Sequence, residues 1–209
     1  MPGKNYLTGR FVNEMKEKYF RRDKIPAGKV AILGIDLQRH FLSINCKAYL
    51  PDAEILKKKL LDFYRFVRIK GFKIILTRHC HENDIMERWW RDAMRCDDPA
   101  TEIDEKIKKF GDFVIEKRTY DAFYNTDLEH LLKEMNVKTV IITGVMTHLC
   151  CETTARSAFV RGFNVIFPID GTLTKNAEFH EGTLRSLSHG FASTPTLEEV
   201  RRWMSSLES

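Results

Sequence analysis

The sequence predicts an α/β fold, in which a six-stranded, mostly parallel sheet is doubly wound and carries helices on both faces in three layers. Short apolar runs rich in β-branched residues alternate with longer amphipathic segments along the whole chain. This alternation is typical of a parallel sheet with right-handed crossover helices. The length of 209 residues and the hydrophobic content of 43% suit one domain, spanning residues 1–209, with a sizeable core.

The individual elements follow from local patterns. The predicted strands cover residues 30–36, 73–77, 113–116, 139–143, 163–168 and 190–194. Helices are predicted where apolar residues recur every three or four positions. They comprise a peripheral N-terminal arm at about 6–22, residues 52–71, residues 127–135, a helix after Met146, residues 178–188, and a last helix capped by Thr196.

The segment 137–161 is the most informative stretch of the chain. An unbroken β-branched run ends at Gly144, and a helical pattern begins after Met146, with Thr147 as the expected N-cap. Cys150 then lies in the first helical turn, where free N–H groups and the helix dipole favour a thiolate. Cys151 instead shares an apolar stripe that also contains Ala155, Ala158 and Phe159. Cys150 is therefore the candidate nucleophile and Cys151 a core residue, although two buried structural cysteines fit this segment equally well.

Two further polar residues follow predicted strands. Asp36 ends the first strand and Lys117 follows the third. Because parallel strands end at one edge of the sheet, Asp36, Lys117 and Cys150 are expected to meet there, where ligands bind in open α/β sheets. The alternatives are a turn or helix-cap role for Asp36 and a solvated strand end for Lys117.

Composition excludes several classes of protein. The net charge of +5 is spread along the chain, without the basic stripe that a nucleic-acid-binding protein would usually carry. No apolar run approaches the ~20 residues of a membrane span, and no signal peptide is apparent. Five cysteines without CxxC spacing argue against a disulfide framework, so a reducing cytoplasm is the expected compartment.

The sequence leaves the roles of two pairs of residues open. His79 and His81 follow the second strand, but a metal site needs three or four ligands, so an ordinary polar loop is favoured. Trp89 and Trp90 lie in a polar stretch and could line a pocket, contact another subunit or cover the core. A subunit contact or core cover is favoured, and together with the peripheral arm this suggests a homo-oligomer, a dimer or tetramer.

The motifs around the three polar residues resemble those of the isochorismatase-like cysteine hydrolases, which include nicotinamidases and N-carbamoylsarcosine amidohydrolases. Asp36 is followed by Gln38 and Phe41, and residues 117–123 read KRTYDAF. Residues 143–156 read TGVMTHLCCETTAR, which matches the nucleophile motif of that family closely. Three motifs in family order and spacing make this resemblance specific, and it covers nearly the whole chain.

The resemblance implies roles for these residues. Asp36, Lys117 and Cys150 would form a catalytic triad, and the backbone N–H groups of Met146 and Cys150 would bind an oxyanion beside a cis peptide bond between Val145 and Met146. The motif residues Gln38, Phe41 and Tyr120 are expected to bind substrate. Nicotinamidases carry an Asp-x-His metal motif where this chain has His79 and His81, so no metal is expected.

The predicted function is cysteine-dependent hydrolysis of a C–N bond in a small amide or N-carbamoyl substrate. The main alternative is a nicotinamidase whose metal site is rebuilt from His79 and His81. A phosphatase is a weaker alternative, because the pattern Cys150-x5-Arg156 lacks the glycines of a phosphate-binding loop. A catalytically idle binding protein is the remaining one.

Overall fold

A computed structural model describes residues 5–20, 28–82, 84–91 and 93–208 of the chain. The strands are β1 (Lys29–Ile35), β2 (Lys73–His79), β3 (Phe113–Lys117), β4 (Val137–Val145), β5 (Asn164–Ile166) and β6 (Thr172–Leu173). The α-helices are α1 (Gly9–Tyr19), α2 (Arg39–Leu42), α3 (Ala53–Ile69), α4 (Glu87–Trp90), α5 (Glu105–Lys108), α6 (Leu128–Glu134), α7 (Glu152–Val160), α8 (Ala177–Gly190) and α9 (Leu197–Ser205).

The six strands form one sheet in the order β3-β2-β1-β4-β5, with β6 paired to β4. Every strand pair is parallel. The chain moves outward from β1 to β3 and then returns to β4 beside β1. Because crossovers are right-handed, this reversal places helices on opposite faces of the sheet. The predicted fold class is confirmed, and the reversal between β1 and β4 creates the crevice where a ligand would bind.

The sixth strand was predicted at the wrong place. Residues 190–194 form no strand, because Gly190 still ends α8 and only Ser193 makes a single bridge to Ile166. The sixth strand is the pair Thr172–Leu173, which aligns with Gly144 and Val145 at the end of β4. Two residues are too short for a periodicity signal, so the sequence pattern could not reveal this strand.

The turn after β4 differs in detail from the predicted one. Residues Thr147–Cys151 form a turn of π-helix that leads directly into α7, and Thr147 is not the cap residue. Its hydroxyl instead donates to the hydroxyl of Thr172, 3.1 Å away. Cys151 is fully buried as predicted, whereas Phe159 is 46% exposed. The apolar stripe of α7 is therefore narrower than the predicted one.

The N-terminal arm is anchored by buried polar contacts. Helix α1 covers the middle of the predicted arm, and residues 21 and 22 lie outside the described residues. The Asp52 carboxylate accepts the N–H groups of Tyr6 and Leu7 at 2.6 and 2.8 Å. The Tyr6 hydroxyl lies 3.1 Å from Nδ1 of His180, whose Nε2 faces the Ile169 carbonyl at 3.0 Å. These contacts hold the arm against α8 and the sheet.

One pair of cysteines differs from the expectation. Cys80 and Cys96 form a disulfide that closes the segment containing α4, and the Arg118 guanidinium donates to both sulfur atoms. The odd cysteine count gave no hint of this pairing, because the two residues come together only when β2 and the segment before Pro99 are folded. Within the described ranges, no helix is long and apolar enough to span a membrane.

We expect the free energy of unfolding to fall as the pH drops from about 6.5 to about 4. Burial lowers the pKa of His180 from 6.5 to about 4. The unfolded chain therefore binds a proton in this interval that the folded chain does not bind, and stability is lost as the pH falls. Each such histidine contributes about 1.4 kcal/mol per pH unit. Urea unfolding at several pH values would measure this slope.

The control is His180→Gln, which cannot bind the proton. Between pH 4 and 6.5, the unfolding free energy of the variant should change with pH by about 1.4 kcal/mol per pH unit less than that of wild type, which is the contribution of one proton. This difference is expected even if the variant is less stable at every pH. An unchanged slope would contradict the assignment to His180.

Candidate active site

Four polar side chains meet beyond the carboxyl ends of the strands. His79 and Lys117 are the last residues of β2 and β3, Asp36 follows β1, and Cys150 lies in the turn after β4. The Lys117 ammonium lies 2.8 Å from Oδ2 of Asp36, 3.3 Å from Sγ of Cys150 and 3.3 Å from Nδ1 of His79. It also donates to the Thr119 carbonyl at 2.8 Å. The structure thus brings the three predicted polar residues together, with His79 as a fourth.

The Lys117 side chain is fully buried, so the alternative of a solvated strand end is wrong. Burial alone would lower the pKa of Lys117, but the Asp36 carboxylate and Cys150 more than offset this effect and raise it. Lys117 therefore remains an ammonium throughout the physiological pH range. Its charge compensates that of Asp36, which could not otherwise be buried.

Asp36 is held in a strained conformation. Its φ of 47° lies in the left-handed region, which aspartate tolerates better than most residues. The Thr77 hydroxyl accepts the Asp36 N–H at 3.0 Å and donates to Oδ1 at 2.6 Å. Such strain persists only where the surroundings enforce it, and it is common at functional sites. Oδ2, the other oxygen, faces Lys117.

The Cys150 thiol is not pre-ionised, which corrects the expectation from the helix start. Burial raises the pKa of Cys150 and the Asp36 carboxylate adds to this effect, while Lys117 opposes it. The resting group is therefore a thiol. A candidate base is close, because the ligand atoms of Asp36, His79 and Cys150 all lie within 4.8 Å of one another. The arrangement can thus move a proton from sulfur to carboxylate when the sulfur attacks.

A glycine allows the two halves of the site to approach. Gly144 has a φ of 117°, and a Cβ atom there would lie 2.1 Å from the Ile35 carbonyl oxygen. Only glycine therefore lets the end of β4 pack against the backbone just before Asp36. The cis peptide bond between Val145 and Met146 is present as predicted. The oxyanion role of the Met146 and Cys150 N–H groups stays a prediction.

Gln38 has a different place from the one predicted. It is fully buried, and its amide nitrogen donates to the carbonyls of His79 and Thr101 at 2.8 and 2.5 Å. Its side-chain oxygen accepts the His79 N–H at 3.1 Å. Both the nitrogen and the oxygen of the amide are thus hydrogen-bonded to backbone groups. Gln38 positions His79 rather than contacting a ligand.

The other predicted substrate-binding residues belong to an aromatic wall, which we define as Phe41, His79, Trp90 and Tyr120. Phe41 packs edge-on against Trp90, with ring centroids 5.8 Å apart. Tyr120 is half-buried and stacks on His79 at 6.4 Å with an interplanar angle of 22°. Trp90 also packs on the core, as predicted, whereas Trp89 is 73% exposed.

Several supporting residues were missed by sequence reasoning. The Ser157 hydroxyl donates to Asp121 at 2.7 Å, and the Thr154 hydroxyl accepts the Ala122 N–H at 3.1 Å. Helix α7 thereby fixes the loop that carries the Thr119 carbonyl. Thr77 was missed as well. Hydroxyl and carbonyl partners of this kind carry no sequence signal, since threonine and serine occur in many other contexts.

The residues present do not fit the metal site of nicotinamidases. Among the described residues, the one group of three metal-ligating side chains is Asp36, His79 and Cys150. The Lys117 ammonium already lies against all three, so a cation is supplied by the chain itself. His81 offers only one nitrogen, because Nε2 lies 2.8 Å from the Ala93 carbonyl, while Nδ1 lies 4.0 Å from Glu87.

The phosphate-loop pattern is also not formed. The Arg156 guanidinium pairs with Glu152 at 2.8 Å, contacts the Ser186 hydroxyl and lies 4.3 Å from the ring centroid of Phe191. These contacts tie Arg156 to α8. The pattern Cys150-x5-Arg156 thus reflects helix packing.

The doubly wound sheet carries its polar cluster beyond the carboxyl ends of the strands, which is where open α/β proteins bind their ligands. A family model described as the isochorismatase domain matches residues 30–199, so the chain belongs to the isochorismatase family. The family resemblance inferred from the motifs is confirmed.

Individual relatives extend this comparison. A protein of Arabidopsis thaliana named nicotinamidase 3 is 37% identical over 194 residues, covering 88% of this chain and 94% of that protein. A ureidoacrylate amidohydrolase of Methylorubrum extorquens is 32% identical over 90 residues, covering 43% of this chain and 36% of that protein. The crystal structure of a cysteine hydrolase from Pseudomonas syringae pv. phaseolicola superposes with a TM-score of 0.81 at 24% identity. The match covers 90% of this chain and 98% of that chain, and at this identity it supports the fold alone.

We expect Lys117→Met to lower the free energy of unfolding by about 3–5 kcal/mol, because it leaves the Asp36 carboxylate buried without its cation. The double variant Asp36→Asn/Lys117→Met should be less destabilised than Lys117→Met alone. Lys73→Met is the matched control, since Lys73 pairs with Asp112 at the surface and should contribute at most about 1 kcal/mol. Equal losses for the two single variants in urea unfolding would contradict this account of the site.

Proposed function

We propose that the protein is a cysteine-dependent amidohydrolase that cleaves the C–N bond of a small amide or N-carbamoyl substrate. The observation that carries the proposal is the buried contact of the Lys117 ammonium with both Asp36 and Cys150, at 2.8 and 3.3 Å. This contact supplies a nucleophile, a nearby base and a fixed positive charge in a water-poor site. Those are the parts that acyl transfer to sulfur requires.

The proposed reaction begins with attack of Cys150 Sγ on the carbonyl carbon, while the thiol proton moves to Asp36. Lys117 stays protonated and stabilises the negative charge on the sulfur before it attacks. The tetrahedral oxyanion would be bound by the N–H groups of Met146 and Cys150. Collapse breaks the C–N bond, and Asp36 gives its proton to the departing nitrogen. Water activated by Asp36 then hydrolyses the thioester and restores the thiol.

The substrate class is supported by the aromatic wall and by the relatives. Phe41 packs edge-on against Trp90, and Tyr120 stacks on His79 of the polar cluster; an aromatic wall of this kind would suit a planar, uncharged substrate. The relative named nicotinamidase 3 makes an aromatic carboxamide the second candidate, in place of an N-carbamoyl compound. The hypothesis of a metal site rebuilt from His79 and His81 is not part of this proposal, because one nitrogen of each ring lies against a backbone carbonyl, Thr119 and Ala93 respectively.

The remaining alternatives receive less support. A phosphatase would need Arg156 at the nucleophile, but its guanidinium is bound to Glu152. A catalytically idle binding protein would not require a strained Asp36 or a buried Lys117. A homo-oligomer, for which the exposed Trp89 offers a contact surface, stays a prediction. The Cys80–Cys96 disulfide removes the cysteine argument for a reducing compartment.

We expect Cys150→Ala to abolish ammonia release from a panel of aromatic amides and N-carbamoyl compounds, and to leave the thermal unfolding transition in place. Cys151→Ala is the matched control, because Cys151 is buried in the core beside the nucleophile. It should retain turnover and lose about 1 kcal/mol of stability, since the cavity is small. An inactive Cys151→Ala with an active Cys150→Ala would show that the wrong cysteine was chosen.

We expect turnover to survive exhaustive chelation. The position that a metal ion would take among Asp36, His79 and Cys150 is occupied by the Lys117 ammonium. Activity would be measured after dialysis against a strong chelator and after adding back zinc, iron or manganese. Loss on dialysis with recovery by one of these ions would refute the ammonium account and favour a metal-dependent nicotinamidase.

A further inference from the structure

The His79 side chain has one nitrogen that the site leaves without a partner. His79 is 2% exposed, and no described residue makes a hydrogen bond to its Nε2 atom. Buried polar atoms are nearly always hydrogen-bonded, so an orphan of this kind beside a nucleophile indicates a ligand. The remaining question is whether Nε2 donates or accepts.

The contacts of Nδ1 decide this question. Nδ1 lies 3.1 Å from the Thr119 carbonyl and 3.3 Å from the Lys117 ammonium. If Nδ1 carried no proton, its lone pair would face the carbonyl oxygen directly. With a proton on Nδ1, the ring donates to Thr119, and the Lys117 protons remain for Asp36, Thr119 and Cys150. In a neutral ring this leaves Nε2 as a bare acceptor.

The ring is both neutral and fixed in orientation. The ring is buried and its Nδ1 lies 3.3 Å from the Lys117 ammonium, which disfavours a second positive charge there, so the ring is neutral. Gln38 holds the His79 backbone through both ends of its amide, and Tyr120 stacks on the ring. A nitrogen of this ring lies within 4.8 Å of the reactive atoms of Asp36 and Cys150.

We propose that Nε2 of His79 accepts a hydrogen bond from the N–H group of the carboxamide or ureido unit whose carbon Cys150 attacks. This inference rests on the proposed function and adds a specificity-determining residue to it. The bare lone pair attracts a substrate N–H and repels the alkoxy oxygen of an ester at the same position. The site thereby selects amides over the corresponding esters.

The test compares nicotinamide with methyl nicotinate, which share a ring and differ in the N–H group. His79→Asn keeps a donor near Nδ1 but removes the group at Nε2, whereas His79→Gln can place an amide oxygen near Nε2. The ratio of kcat/KM for amide over ester should fall about tenfold in His79→Asn, the size expected for one lost hydrogen bond. It should stay within about twofold of wild type in His79→Gln.

His81→Asn is the control, because His81 is buried nearby but bound to the Ala93 carbonyl, and its ratio should equal that of wild type. An unchanged ratio in His79→Asn, or the same fall in His81→Asn, would overturn the proposal. Wild-type protein that cleaves neither compound nor the wider amide panel would overturn the proposed function instead.

The tautomer gives a second readout that needs no turnover. Nitrogen-15 NMR of the wild-type protein near pH 7 should show His79 protonated at Nδ1 and bare at Nε2, and His79→Asn identifies the signal. A signal protonated at Nε2 would overturn the proposal whatever the kinetics show.

Discussion

The ammonium group of Lys117 is the contact on which the site depends. It is buried at the end of an edge strand and lies within 3.3 Å of groups from four segments: Asp36, His79, Thr119 and Cys150. A buried charge of this kind is tolerated only with good geometry and full pairing. The strand ends must therefore keep a fixed spacing, which the parallel sheet beneath them provides.

The sequence predicted the layers of the fold and the three polar residues of the cluster, because both depend on patterns that repeat along the chain. β-Branched runs mark strands, and strand ends mark the edge of the sheet. It did not predict the direction of the Cys150 pKa shift. Helix position favours a thiolate, but desolvation outweighs that effect, and desolvation depends on how tightly distant segments pack. Gln38 was misassigned for a similar reason, because its two backbone partners lie 41 and 63 residues away.

The polar cluster carries its own cation, because the Lys117 ammonium lies among a carboxylate, an imidazole and a sulfur. His79, at the end of β2, has its Nδ1 next to this ammonium, and its Nε2 has no hydrogen-bond partner among the described residues. A change of this one side chain would therefore alter what we propose the pocket recognises, while Asp36 and Cys150 keep their places.

The disulfide between Cys80 and Cys96 affects how much conformational freedom the protein would lose when a ligand binds. It closes the segment that carries Trp90, so this part of the aromatic wall is tethered to β2 before any substrate arrives. A mobile wall would have to be ordered by each incoming molecule, and that loss of conformational freedom would subtract from affinity. With the wall pre-organised, the small planar substrate that we propose would be held despite the few atoms it has to make contacts.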